Sequence, residues 1–276
     1  MDYLEIKAPA KINFGLFITS KREDGFHNLE TIFYPLYDLC DDLVFSPADD
    51  FKFSSNISDI NNNDNLVVKA RNLLEEYTGK KINAHIELIK SIPSGAGMGG
   101  GSSDAATTLI SLNEMFDLKL DNPALLKLAL KLGSDVPFFI KPRPAFAQSR
   151  GEKLTYIDLD ITLPILIVNP GIHISTKVAY ENINPKAADF DLRTLERFDF
   201  QNAGDLIKKV KNDFEDFVFN THPEIEIIKD KMYSCGAKFS LMTGSGSTVF
   251  GIFGSLEEAE RALRQFNTQY FCFISW

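Results

Sequence analysis

The segment Pro93-Ser94-Gly95-Ala96-Gly97-Met98-Gly99-Gly100-Gly101-Ser102-Ser103-Asp104 carries five glycines within seven residues. Glycine permits turns with positive φ and leaves no side chain between the backbone N–H groups and a ligand. Where such a run joins a strand to a helix, N–H groups and the helix dipole converge on one point. That is an anion site, and a triphosphate suits it. Ser102 and Ser103 add hydroxyls that can cap the helix, or donate to phosphate or meet its magnesium ion. A tight strand-to-helix connection without a ligand needs one or two glycines, not five. A Walker loop is excluded, because no Gly-Lys-Ser/Thr follows the glycines. A dinucleotide fold is the better rival. It requires an opening βαβ unit, which is missing here, and an acidic ribose ligand about 20 residues on.

The surrounding elements place this loop. Ala84, Ile86 and Leu88 alternate within Asn83–Leu88, as in a half-buried strand leading into the glycines. Ala105–Phe116 reads as the helix leaving them. Upstream, the polar cluster Asn61–Asp64 ends in a helix cap. Leu66, Val67, Ala70, Leu73, Leu74 and Tyr77 then recur at helical spacing before Gly79. Asn122-Pro123 reads as a cap followed by proline at the first helical position, closed by Gly133. Ala145–Gln148 and Lys153–Ile157 form a hairpin about Arg150-Gly151-Glu152. Leu163–Val168 is a continuous apolar run ended by Asn169-Pro170-Gly171, and a lobe boundary is expected there, dividing the chain into 1–160 and 161–276. Beyond it, Gly204–Phe219 and Glu224–Tyr233 read as helices. Phe239–Phe253 reads as two strands joined by Thr243–Ser247, Ser255–Glu258 as a capping box, and Tyr270–Ile274 as a last strand. Strands and helices alternating with hairpins indicate an α+β fold in two lobes.

Composition narrows the partners. The 276 residues hold 29 basic and 38 acidic side chains, a net charge of −9, which disfavours a nucleic-acid surface. The 23 phenylalanines are scattered along the chain, as core filling would be. Cys40, Cys235 and Cys272 lie far apart without metal or disulfide spacing, and fit a reducing compartment. His85, His173 and His222 share no metal spacing either. No signal peptide or membrane span is read in the sequence, so a cytoplasmic address and no membrane partner are expected.

Two further segments add to the glycine loop. Ala8-Pro9-Ala10-Lys11-Ile12-Asn13-Phe14 continues into Arg22-Glu23-Asp24-Gly25-Phe26-His27-Asn28-Leu29, and Leu132-Gly133-Ser134-Asp135-Val136-Pro137-Phe138 lies downstream. With Leu241–Ser247 and Asn212-Asp213-Phe214-Glu215, these resemble the GHMP small-molecule kinases over residues 8 to about 253. Within that family, Pro-Ala-Lys-Ile-Asn plus Asp-Gly-Phe-His is similar to the members acting on a cytidine-diphosphate-linked methylerythritol. The resemblance implies a two-lobed α+β kinase with its active site in the inter-lobe cleft. It further implies ATP with Mg²⁺ as donor, and transfer to the 2-hydroxyl of that small molecule in the non-mevalonate isoprenoid route.

The resemblance also implies roles. Lys11 and Asp135 match the catalytic pair: a carboxylate that takes the hydroxyl proton and an ammonium that steadies the developing charge. Taken alone, Lys11 reads as a surface lysine and Asp135 as a turn or cap carboxylate. Pro93, Ser94, Gly95, Ala96, Gly97, Met98, Gly99, Gly100, Gly101, Ser102 and Ser103 match the phosphate loop, and Asn65 a residue near the adenine. Phe26, where the family usually has Tyr, and Tyr180, where it commonly has Phe, match two aromatics stacking on the cytosine, with His27 at its edge. Lys90 and Asn13 match polar substrate contacts. Ser103 is the candidate magnesium ligand. A kinase for homoserine, mevalonate or a sugar offers no base to stack on, and a non-catalytic nucleotide sensor would not need both Lys11 and Asp135.

Overall fold

The computed structural model describes residues 3–197, 200 and 207–276. They form two compact units, each discontinuous in sequence. The first comprises Met1–Ala10, Leu39–Ser94 and Gly99–Pro142; the second comprises Lys11–Asp38, Gly95–Met98 and Arg143–Trp276. This division differs from one at residue 160. Two long paired strands, β1 (Leu4–Lys21) and β2 (His27–Pro47), each give one part to each unit, so a single composition break cannot mark the division.

In the first unit, Asp42–Pro47 of β2 pairs antiparallel with β4 (Ala84–Ile89), and β3 (Lys52–Ser55) runs parallel to β4 on its other side. The helices are α1 (Leu66–Thr78), α2 (Gly100–Met115), α3 (Asn122–Leu132) and α4 (Val136–Ile140). Helix α1 buries Val67, Ala70, Arg71 and Leu74 on one face; it begins at Asn65, whose side chain accepts from Val67 N, and ends at the left-handed Gly79. An N-cap of this kind is worth about 1 kcal/mol. Helix α2 packs against α1, α3 and α4. It starts inside the glycine run rather than at Ala105, with Gly99 as its cap residue and no side-chain cap. Ser102 and Ser103 therefore lie within the helix and do not cap it; packing on three neighbours overrides the poor helix propensity of Gly100 and Gly101. The cap of α3 is Asp121, which accepts from Ala124 N, rather than Asn122.

In the second unit, Leu29–Phe33 of β2 pairs with β5 (Ala145–Ser149), which forms the expected hairpin with β6 (Lys153–Tyr156). A separate antiparallel sheet runs β10 (Phe271–Ser275), β7 (Ile165–Asn169), β9 (Val249–Ile252), β8 (Phe239–Met242). The unbroken apolar run of β7 suits its central position, since all five residues are buried. Leu166, Val168, Phe214, Ile225, Ile228, Met232, Val249 and Phe253 belong to one core against α5 (Thr176–Glu181), α6 (Glu215–Thr221), α7 (Pro223–Ser234) and α8 (Leu256–Leu263). Phe14 sits among the rings of Phe200, Phe239 and Phe250.

The helix expected over Gly204–Phe219 is not continuous. Residues 204–206 lie outside the described ones; Ile207–Lys209 is a single 3₁₀ turn, and α6 starts only at Glu215. Between them Leu16 N donates to Lys211 O (2.8 Å) and Asp213 N to Leu16 O (2.9 Å), a bridge to β1. Asn212 Nδ2 donates to Met242 O (2.7 Å) and Gly244 O (2.8 Å). These long-range bonds compete successfully with the local helix.

Candidate functional site

In the second unit, Lys11 and Asn13 sit on β1, where strand geometry sends alternate side chains to one face. Both are buried. Lys11 Nζ donates to Asn13 Oδ1 and to Gly97 O (3.1 Å), and lies 5.1 Å from the centre of the Phe33 ring. The backbone joins in, with Lys11 N donating to Met98 O (3.0 Å). Asn13 is held on both sides: its N–H donates to Thr243 Oγ1 (2.8 Å) and its Nδ2 to Thr31 Oγ1 (3.0 Å). Thr243 Oγ1 stands 3.3 Å from Gly97 O. Lys11 is therefore no solvated surface lysine. It is an ammonium delivered to the glycine loop by β1.

The loop's backbone requires its glycines. Gly95, Gly97 and Gly99 have φ of +66°, +76° and +71°, conformations that L side chains rarely adopt. A Cβ at Gly97 would stand 2.3 Å from Thr243 O, so this glycine is required by close approach as well as by φ. At the loop's far end, the Ser103 hydroxyl is fully buried and has no hydrogen-bond partner. An orphaned hydroxyl in the first turns of a helix opened by glycines fits a phosphate oxygen or a phosphate-bound cation. No group of three or more His, Cys, Asp or Glu side chains that could hold a metal occurs among the described residues.

In the first unit, Asp135 stands at the N-cap position of α4, yet its side chain makes no cap hydrogen bond. The capping role that a carboxylate after Gly133 usually plays is absent. Asn65 is used locally: Oδ1 accepts from Val67 N (2.9 Å) and Nδ2 donates to Ile60 O (3.1 Å). The side chain of Lys90, expected as a substrate contact, lies between two carboxylates, bonding Asp41 Oδ2 and Asp104 Oδ2 (2.9 Å).

The aromatics of the second unit differ in detail from the expectation. His27 stacks on Tyr180, with ring centres 5.0 Å apart and planes 20° from parallel, and the edge of Phe214 closes on Tyr180 at 4.9 Å. Burial, with Lys21 nearby, holds the His27 imidazole below its ordinary pKa, so its neutral form is favoured. Phe26 is half exposed, and the Arg150 guanidinium lies 4.3 Å from its ring centre. The structure thus brings His27 and Tyr180 together as neighbours, and gives Phe26 a different partner. Residues not foreseen are Thr31, Thr243, Asp41 and Asp104. The second glycine-bearing turn, Thr243–Ser247, was the available signal for Thr243.

Comparison with known proteins agrees over most of the chain. Residues 65–142 match the GHMP kinases N terminal domain and residues 185–271 the GHMP kinases C terminal model. A 4-diphosphocytidyl-2-C-methyl-D-erythritol kinase of Bacteroides thetaiotaomicron is 43% identical, covering 96% of this chain and 96% of its own. The crystal structure of a 4-(cytidine 5'-diphospho)-2C-methyl-D-erythritol kinase superposes with a TM-score of 0.84 at 33% identity, over 98% of each chain. A homoserine kinase from Cytophaga hutchinsonii shares the fold, with a TM-score of 0.71 at 16% identity over 100% of this chain and 95% of its own.

Proposed function

The chain belongs to the GHMP kinases, and from that premise we propose that it phosphorylates the 2-hydroxyl of 4-diphosphocytidyl-2-C-methyl-D-erythritol with ATP, in the non-mevalonate isoprenoid route. The observation that carries the reading is the buried Lys11 ammonium, held by Asn13 and bonded to the carbonyl of Gly97 in the glycine loop.

The loop's N–H groups and Ser103 receive the ATP phosphates, with Asn65 toward the adenine end. Ser103 would be the residue to meet a magnesium ion bound with the nucleotide, which would supply neutralising charge to the phosphates. Asp135 takes the proton of the acceptor hydroxyl as its oxygen bonds to the γ-phosphorus. The bond from that phosphorus to the β-phosphate oxygen breaks, and ADP leaves. Lys11 steadies the negative charge gathering on the transferring group, in a site where its ammonium is already desolvated and oriented. Phe26, His27 and Tyr180 receive the cytosine, and Asn13 contacts the acceptor. Among the described residues no helix is long and apolar enough to cross a membrane, and ATP as donor fits a cytoplasmic address.

The test is ATP turnover with 4-diphosphocytidyl-2-C-methyl-D-erythritol, homoserine and mevalonate offered separately, with the phosphorylated position read by ³¹P NMR. Turnover with the first alone, at the 2-hydroxyl, is expected. A higher kcat/KM with either of the others would sink the substrate assignment.

A further inference from the structure

Asp41 is fully buried on β2, between the buried Leu39 and Leu43 on the same strand. Its carboxylate accepts three hydrogen bonds. Oδ1 takes the N–H of Ser91 (2.7 Å) and of Ile92 (2.8 Å), while Oδ2 takes the Lys90 ammonium. The same ammonium donates to Asp104 Oδ2 at 2.9 Å. Lys90, Ser91 and Ile92 are the residues that enter the glycine loop; Asp104 is where the chain leaves it, on α2. A Cβ added to Gly100 would stand 3.0 Å from Lys90 Nζ and 3.3 Å from Asp41 Oδ2, so the cluster lies directly beneath the loop's backbone.

We infer that Asp41, Lys90 and Asp104 form a clamp closing the glycine loop at its base, and that they act as positioning residues for the nucleotide phosphates. The inference rests on the assignment of that loop to ATP. Its physical content is preorganisation: a loop whose two ends are tied keeps its N–H groups aimed before the ligand arrives, and the ordering cost is not charged to binding. Burial of this kind is not explained by stability, since a buried charge group is often no more stable than apolar side chains of the same volume. The cluster holds two carboxylates and one ammonium. Burial pushes Asp104 up to about 7, Lys90 opposes this, and Asp41 adds to it. For Lys90 burial works against the charge, but the two carboxylates outweigh it and its pKa is raised. The lysine is thus what allows both acids to sit under the loop.

Asp104→Ala cuts the tie to α2 while leaving Lys90 and Asp41 as a neutral pair, so the chain is expected to fold. Removing a negative charge beneath the loop would by itself favour a polyanion, so any loss of nucleotide affinity reports the tie and not the charge. Lys90→Met with Asp104→Asn, compared with the parent at a pH where both acids are ionised, removes the tie at constant net charge, because the cluster then carries −1 before and after. Each folded variant is titrated calorimetrically with a non-hydrolysable ATP analogue and with 4-diphosphocytidyl-2-C-methyl-D-erythritol, and hydrogen exchange is followed over residues 93–103. The analogue should bind about tenfold or more weakly, with acceptor affinity held within about twofold and faster exchange confined to the loop. Unchanged or tighter analogue binding in Asp104→Ala overturns the clamp, as does an equal loss of both ligands. If the double variant does not fold, Asp104→Ala decides alone. A parent protein that binds no ATP analogue refutes the kinase reading instead.

Discussion

Replacing Gly97 by alanine tests the link between backbone geometry and chemistry most directly. The φ of +76° is the left-handed region, where a Cβ costs roughly 1–2 kcal/mol before any contact is counted. The new methyl would also stand 2.3 Å from Thr243 O and 3.1 Å from Gly246 O, both backbone atoms that cannot rotate away. The loop and the Thr243–Ser247 turn must therefore separate by about 1 Å, since carbon and oxygen rest more than 3 Å apart. Gly97 O moves with it, and that carbonyl accepts from the Lys11 ammonium. A misplacement of about 1 Å near the reacting atoms costs on the order of 10²-fold in rate. Gly101→Ala is the control: its Cβ meets only Leu66 Cδ1 at 3.7 Å, an ordinary contact, and alanine is the better helix former there by about 1 kcal/mol. The assay is steady-state turnover with thermal unfolding on both variants. Gly97→Ala should lose kcat by about 10²-fold with a lowered Tm, and Gly101→Ala should hold or raise its Tm. A Gly97→Ala enzyme with parental kcat would refute the reasoning, because the Lys11 anchor would then tolerate the displacement.

Three further outcomes are expected. Asp135→Asn should bind the ATP analogue as the parent does while kcat falls by about 10²-fold or more; a drop of only a few-fold would remove Asp135 as the base. Tyr180→Ala and Phe26→Ala should each weaken the acceptor, by about 1–3 kcal/mol for a lost base–aromatic contact, and leave ATP affinity alone. The His27–Tyr180 stack makes Tyr180 the more damaging of the two, and equal acceptor affinity in both variants and the parent would discard the cytidine pocket. Burial and Asp41 lift Asp104 to about 7 against the pull of Lys90, so the folded chain keeps a proton that the unfolded chain has already released. That contribution to stability is full below the unfolded value near 3.8 and is lost as pH rises through about 7. Thermal unfolding between pH 5 and 8 should show this loss in the parent and a flatter profile in Asp104→Asn; identical slopes would count against it.

What the sequence revealed was local. The cap expected at the end of Asn61–Asp64, found one residue on at Asn65, the helix end at Gly79, the hairpin about Gly151 and the glycine loop each depend on a few adjacent residues whose chemistry decides the backbone. The two longest strands were recognised only as motifs. From Ala10 to Ile18 every residue of β1 is buried, so the alternation that betrays a half-exposed strand is missing. The segment around Asn212 failed for the opposite reason. Its local pattern suits a helix, and bonds to Leu16, Met242 and Gly244 decide otherwise.

Lys90 shows where such reading stops. In the sequence it is a lysine just after a strand and just before a glycine loop, a position that invites a ligand contact. Its partners lie 49 residues upstream and 14 residues downstream, and no spacing rule joins the three. Asp41 is equally silent, because an acid in Leu39-Cys40-Asp41-Asp42-Leu43 reads as the exposed face of a strand until the fold buries it completely. A buried charge requires partners, and only the tertiary structure names them. Here the partners close the loop on which the sequence had already placed the phosphates. Lys90 and the loop proposed to hold the ligand thus belong to one mechanical unit: Lys90 bears on the nucleotide through the backbone it ties down.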